Sequence, residues 1–216
     1  IAPLLKRGGL ITFLGGTDLW DVHDFVVIKG EEQRFFHGLM NYFQREDWEE
    51  IKLESLLEMS PTLTYISSLG KNLGYRVEQH EEDSLMGVTL PDTWDEYLTG
   101  LRKKDRHELR RKLRRLESQA VFRIQQLTDL HSISDAMDDF LRLMAQSREE
   151  KSQFLTAQRE VFFREMCLEL AQRKLLQLFF LEIDGVKTAA TVCFDYNNVL
   201  SLYNSGHNTD YASLGT

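Results

Sequence analysis

The sequence predicts an α/β (α+β) protein, and three observations lead there. Strand and helix signals alternate through the first half. The second half reads strand, helix, helix and then three strands in succession. Two dipeptides, Asp184-Gly185 and Asn197-Asn198, separate those three strands. Such pairs occupy the φ > 0 positions of a tight hairpin turn, so the last three strands form an antiparallel meander.

In the first half, Leu10 to Leu14 is a short apolar run closed by Gly15-Gly16, and Phe25 to Ile28 is another closed by Lys29-Gly30. Both read as strands ended by turns. Glu31 to Arg45 has helical spacing, with Phe35, Leu39, Tyr42 and Phe43 on one stripe. Ile51 to Leu53 is a short strand. Ser60-Pro61 opens a helix that carries Leu63, Ile66 and Leu69 and stops near Gly74. Tyr75 to His80 alternates like a strand, and Leu85 to Leu90 reads as a further extended segment.

Pro91 to Tyr97 has the chemistry of a helix start, with Asp92 or Thr93 as cap and acids in the first turn. A single long helix is expected from there to about Glu117. Val121 to Gln126 is a strand, and a helix begins at Thr128 with Ile133, Met137, Phe140, Leu141 and Met144 on its apolar face. A polar loop, Ser147 to Ser152, leads to a second helix with Phe163, Cys167, Leu170 and Ala171 inward. The strands Leu175–Ile183, Val186–Tyr196 and Val199–Asn204 close the chain.

Composition bounds the function. Of 216 residues, 42% are hydrophobic and 11% aromatic, which supports a packed core rather than a disordered chain. The formal net charge of -8 excludes a general affinity for nucleic acid or anionic membrane. DNA is therefore not an expected partner. The longest apolar run, Leu175 to Leu181, is interrupted by Gln177 and falls well short of the ~20 residues of a membrane helix. No transmembrane segment or leader is read, and a cytoplasmic location is expected. Cys167 and Cys193 read as reduced core thiols, and neither has the neighbours of a metal site. No metal is expected. The chain opens on Ile1 and stops at Thr216 within what reads as a continuing domain, so a fragment is expected at both ends.

The order strand, helix, helix, three strands matches the first half of the GNAT N-acetyltransferase fold. Trp94-Asp95-Glu96-Tyr97-Leu98, Leu101 to Arg106 and Leu109 to Glu117 together resemble a linker signature. It is that of the acetyltransferase-like family associated with bacterial cellulose and exopolysaccharide biosynthesis. Leu178 to Ala190 looks like that family's second signature. Tyr203 to Gly206 and Tyr211 to Thr216 are similar to its exit from the fourth strand. Phe13-Leu14-Gly15-Gly16 with Asp18, Asp21 and Asp24 fits its first half. The family is related to the Fem-type peptidoglycan ligases, which carry two such domains in tandem. The resemblance implies tandem GNAT-like domains with mixed central sheets. Residues 1–92 would be the first domain, 93–117 a basic linker helix and 118–216 a second domain cut after its fourth strand.

It also implies an enzyme that transfers an acyl group from acetyl-CoA or another acyl-CoA to an amine or hydroxyl. The acceptor would be a small molecule or a cell-envelope or polysaccharide precursor. In the parent fold the fourth strand lines the pantetheine, and the following helix start holds the pyrophosphate. That places Leu202, Asn204 and Gly215 as cofactor-binding residues and His207 and Tyr203 as catalytic ones, with His207 suited to take a proton near neutrality. Because the pyrophosphate half-site is not in the chain, this fragment alone is expected to be inactive. Arg102, Arg106 and Arg110, on the polar faces of a helix whose stripe is Leu98, Leu101, Leu109, Leu113 and Leu116, are candidates to bind an anion. The plainer readings stand beside these: a solvated cationic linker face, a loop histidine and a core tyrosine.

Asp18, Asp21, His23 and Asp24 form a polar cluster after Gly15-Gly16. They read as turn and cap residues, with a proton-transfer pair or weak metal site as the alternative. The glycine pairs lack the pattern of a phosphate loop. Two rival functions remain: a non-catalytic GNAT-like scaffold, and a Fem-like ligase that uses aminoacyl-tRNA.

Overall fold

The computed structural model describes residues 1–214. Two compact units divide the chain, Ile1–Val88 and Thr89–Thr216. Among the described residues no helix is long and apolar enough to cross a membrane.

The first unit is built from β1 (Leu4–Arg7), β2 (Leu10–Phe13), α1 (Glu32–Phe43), β3 (Glu50–Lys52) and α2 (Pro61–Asn72). Its sheet has the order β1-β2-β3 and is mixed: β1 and β2 are antiparallel, β2 and β3 parallel. The crossover through α1 makes the second pairing parallel. Ile11 and Phe13 meet Phe36, Leu39, Met40 and Phe43 in the core, with Phe25 alongside. The buried stripe of α1 thus runs through Phe36 and Met40, and Tyr42 is half exposed.

Three expected strands of this half are absent from the ladders. Phe25 to Ile28 joins no ladder: Val26 exchanges backbone hydrogen bonds with Ile1 through its N–H and carbonyl. Residues 75–80 and 85–90 carry no sheet pairing either. Leu85, Met86, Val88 and Leu90 are all exposed, so no sheet face recruits their alternating pattern. The predicted cap of α2 holds: Ser60 Oγ accepts from Thr62 N–H at 3.0 Å.

The second unit contains α3 (Trp94–Gly100), α4 (Lys103–Gln119), β4 (Phe122–Leu127), α5 (Leu130–Ser147), α6 (Glu149–Phe154), α7 (Ala157–Gln172), β5 (Leu176–Ile183), β6 (Val186–Tyr196) and β7 (Val199–His207). A 3-10 helix spans Thr209–Leu214. Thr93 and Glu96 form a capping box at the start of α3. The single long helix expected here is two, because Leu101 and Arg102 are both extended. The polar loop expected at 147–152 is instead the end of α5 and the start of α6.

Its sheet runs β4-β5-β6-β7 with every neighbour antiparallel. The expectation of mixed sheets therefore holds for the first unit, while the four strands here are purely antiparallel. Asp184, Gly185, Asn197 and Asn198 all have positive φ, as the two hairpin turns require. Ile133, Met137, Phe140 and Met144 of α5, with Phe163 and Cys167 of α7, cover Leu178, Phe180, Ala190 and Val192. Both cysteines are free and buried, and burial pushes the Cys167 thiol up to about 12.

One glycine sets the closest approach in this layer. A Cβ at Gly206 would lie 2.2 Å from the Met144 backbone nitrogen and 2.4 Å from the Leu143 carbonyl carbon. Both atoms belong to the α5 backbone, which cannot rotate away. Gly206→Ala should therefore destabilise the second unit by about 3 kcal/mol, measured by urea unfolding. An unchanged midpoint would mean that α5 can lift off β7 at little cost.

Candidate functional site

The geometry of interest lies along β7. Its register with β6 shifts between Val192 and Cys193: Val192 faces Asn204, and Cys193 faces Leu202. Tyr203 is left between them as the extra residue of a β-bulge. A bulge interrupts the ladder, re-aims side chains and leaves backbone groups unpaired. It falls among the residues expected to meet a cofactor, since Leu202 and Asn204 flank it. Gly215, the third of that set, lies outside the described residues.

Tyr203 packs its ring on Phe194 at 4.7 Å and on Phe163 at 5.9 Å, on the helix side of the sheet. Leu202 is exposed. Asn204 Oδ1 accepts from the Ser205 N–H at 2.8 Å and from Lys151 Nζ at 2.9 Å. His207 is not a loop residue. It closes β7, pairing with Ala189, because the strand runs three residues beyond its expected end.

Lys151 was hidden in the sequence by its polar surroundings. It sits on α6 and also donates to the Ser205 carbonyl. Burial draws its ammonium below the ordinary lysine range, and Arg148 pushes the same way.

The three arginines expected to bind an anion separate. Arg102 Nε pairs with Asp105 at 2.7 Å, and its side chain is 87% exposed. Arg106 donates to the carbonyls of Thr99 at 3.2 Å and Leu98 at 3.4 Å, capping the C-terminal end of α3. Arg110 lines an open groove of about 510 Å³ between α3 and α4, with Trp94, His107 and Arg114 beside it and Asp95 and Glu117 at the same surface. Trp94 stacks on Tyr97 at 5.4 Å. An aromatic face next to two guanidinium groups suits an anionic ring-bearing ligand.

Residues 103–216 match the family described as Acetyltransferase (GNAT) domain. The chain belongs to that family. The GNAT match covers more than half of the chain and takes in α4, the whole β4–β7 sheet and the bulge. Membership carries an acyl-transferring kind of function, with acyl-CoA as the substrate GNAT domains use. No curated protein matches the chain.

In the cluster after Gly15-Gly16, outside the GNAT match, Asp24 has a structural role. Asp24 accepts from Ser60 Oγ at 2.6 Å, Thr62 Oγ1 at 2.5 Å and the Phe25 N–H at 2.8 Å, tying the loop to the start of α2. Among the described residues no three His, Cys, Asp or Glu side chains converge as metal ligands. The turn that leads into α1 is held by a side chain of the helix itself. Glu32 places its own carboxylate on the Gly30 N–H at 2.8 Å, and these backbone N–H groups hold its carboxyl below the usual range.

His23 is 9% exposed, stacked on Phe13 at 5.5 Å, and neither ring nitrogen meets a hydrogen-bond partner among the described residues. Burial pushes its imidazole below 6.5, with Glu54 opposing. The folded state then binds fewer protons than the unfolded one below that value, so stability falls as pH drops through it. Amide exchange in β2 and the His23 loop should accelerate as pH falls below 6.5 once the intrinsic rate is removed. His23→Phe should abolish that dependence. Equal pH dependence in both proteins would place the sensitivity elsewhere.

Proposed function

We propose that the protein is an acyl-CoA-dependent N-acyltransferase of the GNAT type, acting in the cytoplasm on a cell-envelope or polysaccharide precursor. The observation that carries this reading is the bulge of β7 at Tyr203 within the GNAT match. A bulge loosens the ladder, and in this reading backbone N–H groups beside it polarise the thioester carbonyl while Leu202 and Asn204 line the acyl chain. Such donors act in a partly dry site and cost no reorganisation as charge develops on oxygen. The reaction needs no covalent enzyme intermediate. Alignment of thioester and amine supplies much of the rate, and a proton acceptor nearby supplies more.

The tandem arrangement is part of the same proposal. A GNAT domain follows its fourth strand with a helix and a parallel fifth strand. The first unit has that order in β2, α1 and β3, with β2 and β3 parallel neighbours. This supports reading it as the later half of a first GNAT-like domain, related to the cellulose-associated and Fem-like proteins. The groove at Arg110 favours an acceptor that carries a negative charge and a ring.

Calorimetric titration of acetyl-CoA into the full-length protein tests the reading. Binding in the micromolar range is expected. Arg110→Ala should leave it unchanged while raising the KM for an anionic acceptor about 10-fold, the effect of one lost charged hydrogen bond. No acetyl-CoA binding, with RNA binding that weakens steeply in salt, would make the protein an aminoacyl-tRNA-dependent ligase. Binding of neither would make it a scaffold.

A further inference from the structure

We propose that Lys151 is the proton acceptor of the acyl-transfer step, working beside the bulge of β7. The inference rests on the acyltransferase reading and names a residue for it.

Three features of its surroundings lead there. Lys151 reaches from α6 to β7 and donates to Asn204 Oδ1 and to the Ser205 carbonyl, the two residues directly after the bulged Tyr203. No carboxylate pairs with it among the described residues, although its side chain is half-buried. A cation partly withdrawn from water without a counter-charge is costly, which favours the neutral amine. Arg148, at the turn into α6, adds repulsion in the same sense, and on β7 the atoms Lys151 bonds are uncharged.

The hydrogen-bond arithmetic fits the neutral form. An amine has two N–H donors and one lone pair. Asn204 Oδ1 and the Ser205 carbonyl take both donors, so deprotonation breaks neither bond and leaves the lone pair for a third partner. Asn204 is itself fixed by the Ser205 N–H, so it is a positioning residue for the lysine. The other basic candidate on this strand is His207, two residues beyond Ser205. Glu182 is already engaged with Arg123.

In the step, the acceptor's amine nitrogen forms a bond to the thioester carbonyl carbon and the C–S bond breaks. The nitrogen's excess proton passes to Lys151 Nζ, making it an ammonium. CoA leaves as thiolate and takes up that proton from Lys151, which restores the amine.

The test uses the full-length protein, acetyl-CoA as donor and a panel of amino sugars as probe acceptors, with thiol release followed from pH 5.5 to 9.5. Lys151→Arg keeps the charge and both donations but cannot accept a proton. It should lower kcat about 100-fold or more and remove the acid limb of the kcat/KM profile, while acetyl-CoA affinity stays within twofold. Lys151→Met should do the same to kcat. Trace acetylation with acetic anhydride, read by mass spectrometry without any substrate, should show Lys151 becoming reactive at lower pH than surface lysines. Wild-type turnover by Lys151→Arg would overturn the inference and leave Lys151 as a tie between α6 and β7. Loss of the acid limb in His207→Gln alone would overturn it in favour of His207. A wild-type protein that neither binds nor turns over acetyl-CoA would remove the acyltransferase reading itself, and the inference with it.

Discussion

The backbone of α5 lies directly on Gly206, and the placement of the candidate residues in the second unit follows from that approach. With no Cβ in the way, Leu143 and Met144 settle against β7. The end of α5 then delivers the chain to α6 at the height of Asn204 and Ser205, where Lys151 meets them. The same seating brings Phe163 of α7 onto Tyr203. A side chain at position 206 would push the helix layer outward and separate all of these at once, because close-packed interiors transmit strain rather than absorb it.

The bulge is the second constraint, and it works with the first. A regular ladder would alternate Tyr203 and Asn204 across the sheet. The extra residue instead sends both toward the helices, one as an aromatic wall on Phe194 and one as an acceptor for Lys151. Apolar packing and a polar contact thus share one face within two residues. The core beneath them is rich in large buried side chains such as Phe140, Phe163 and Phe180.

Much of this was legible in the sequence. Asp184-Gly185 and Asn197-Asn198 gave away the meander because φ > 0 is a local demand that few residues meet. The stripes of α5 and α7 were readable because burial on one face writes a 3.6-residue period. What escaped depends on partners distant in sequence. Phe25 to Ile28 has strand composition, yet it joins no ladder, and strand propensity cannot tell whether a neighbour exists. Gly206 looks like any glycine after a strand, since its need for contact comes from a helix some sixty residues earlier. Lys151, among Arg148, Glu149 and Glu150, reads as solvated because adjacent charges say nothing of where a long side chain ends. The arginines of α4 were found as a class but not sorted, because their separate partners come from helix geometry that composition does not encode.

The three tryptophans add an optical consequence. Trp20 and Trp48 belong to the first unit, and Trp94 alone belongs to the second. Trp94 is 53% exposed at the rim of the groove that Arg110 lines. Its indole emission therefore reports on that groove, while the other two report on the first unit. A single-tryptophan version that keeps only Trp94 would report on that groove without an added dye.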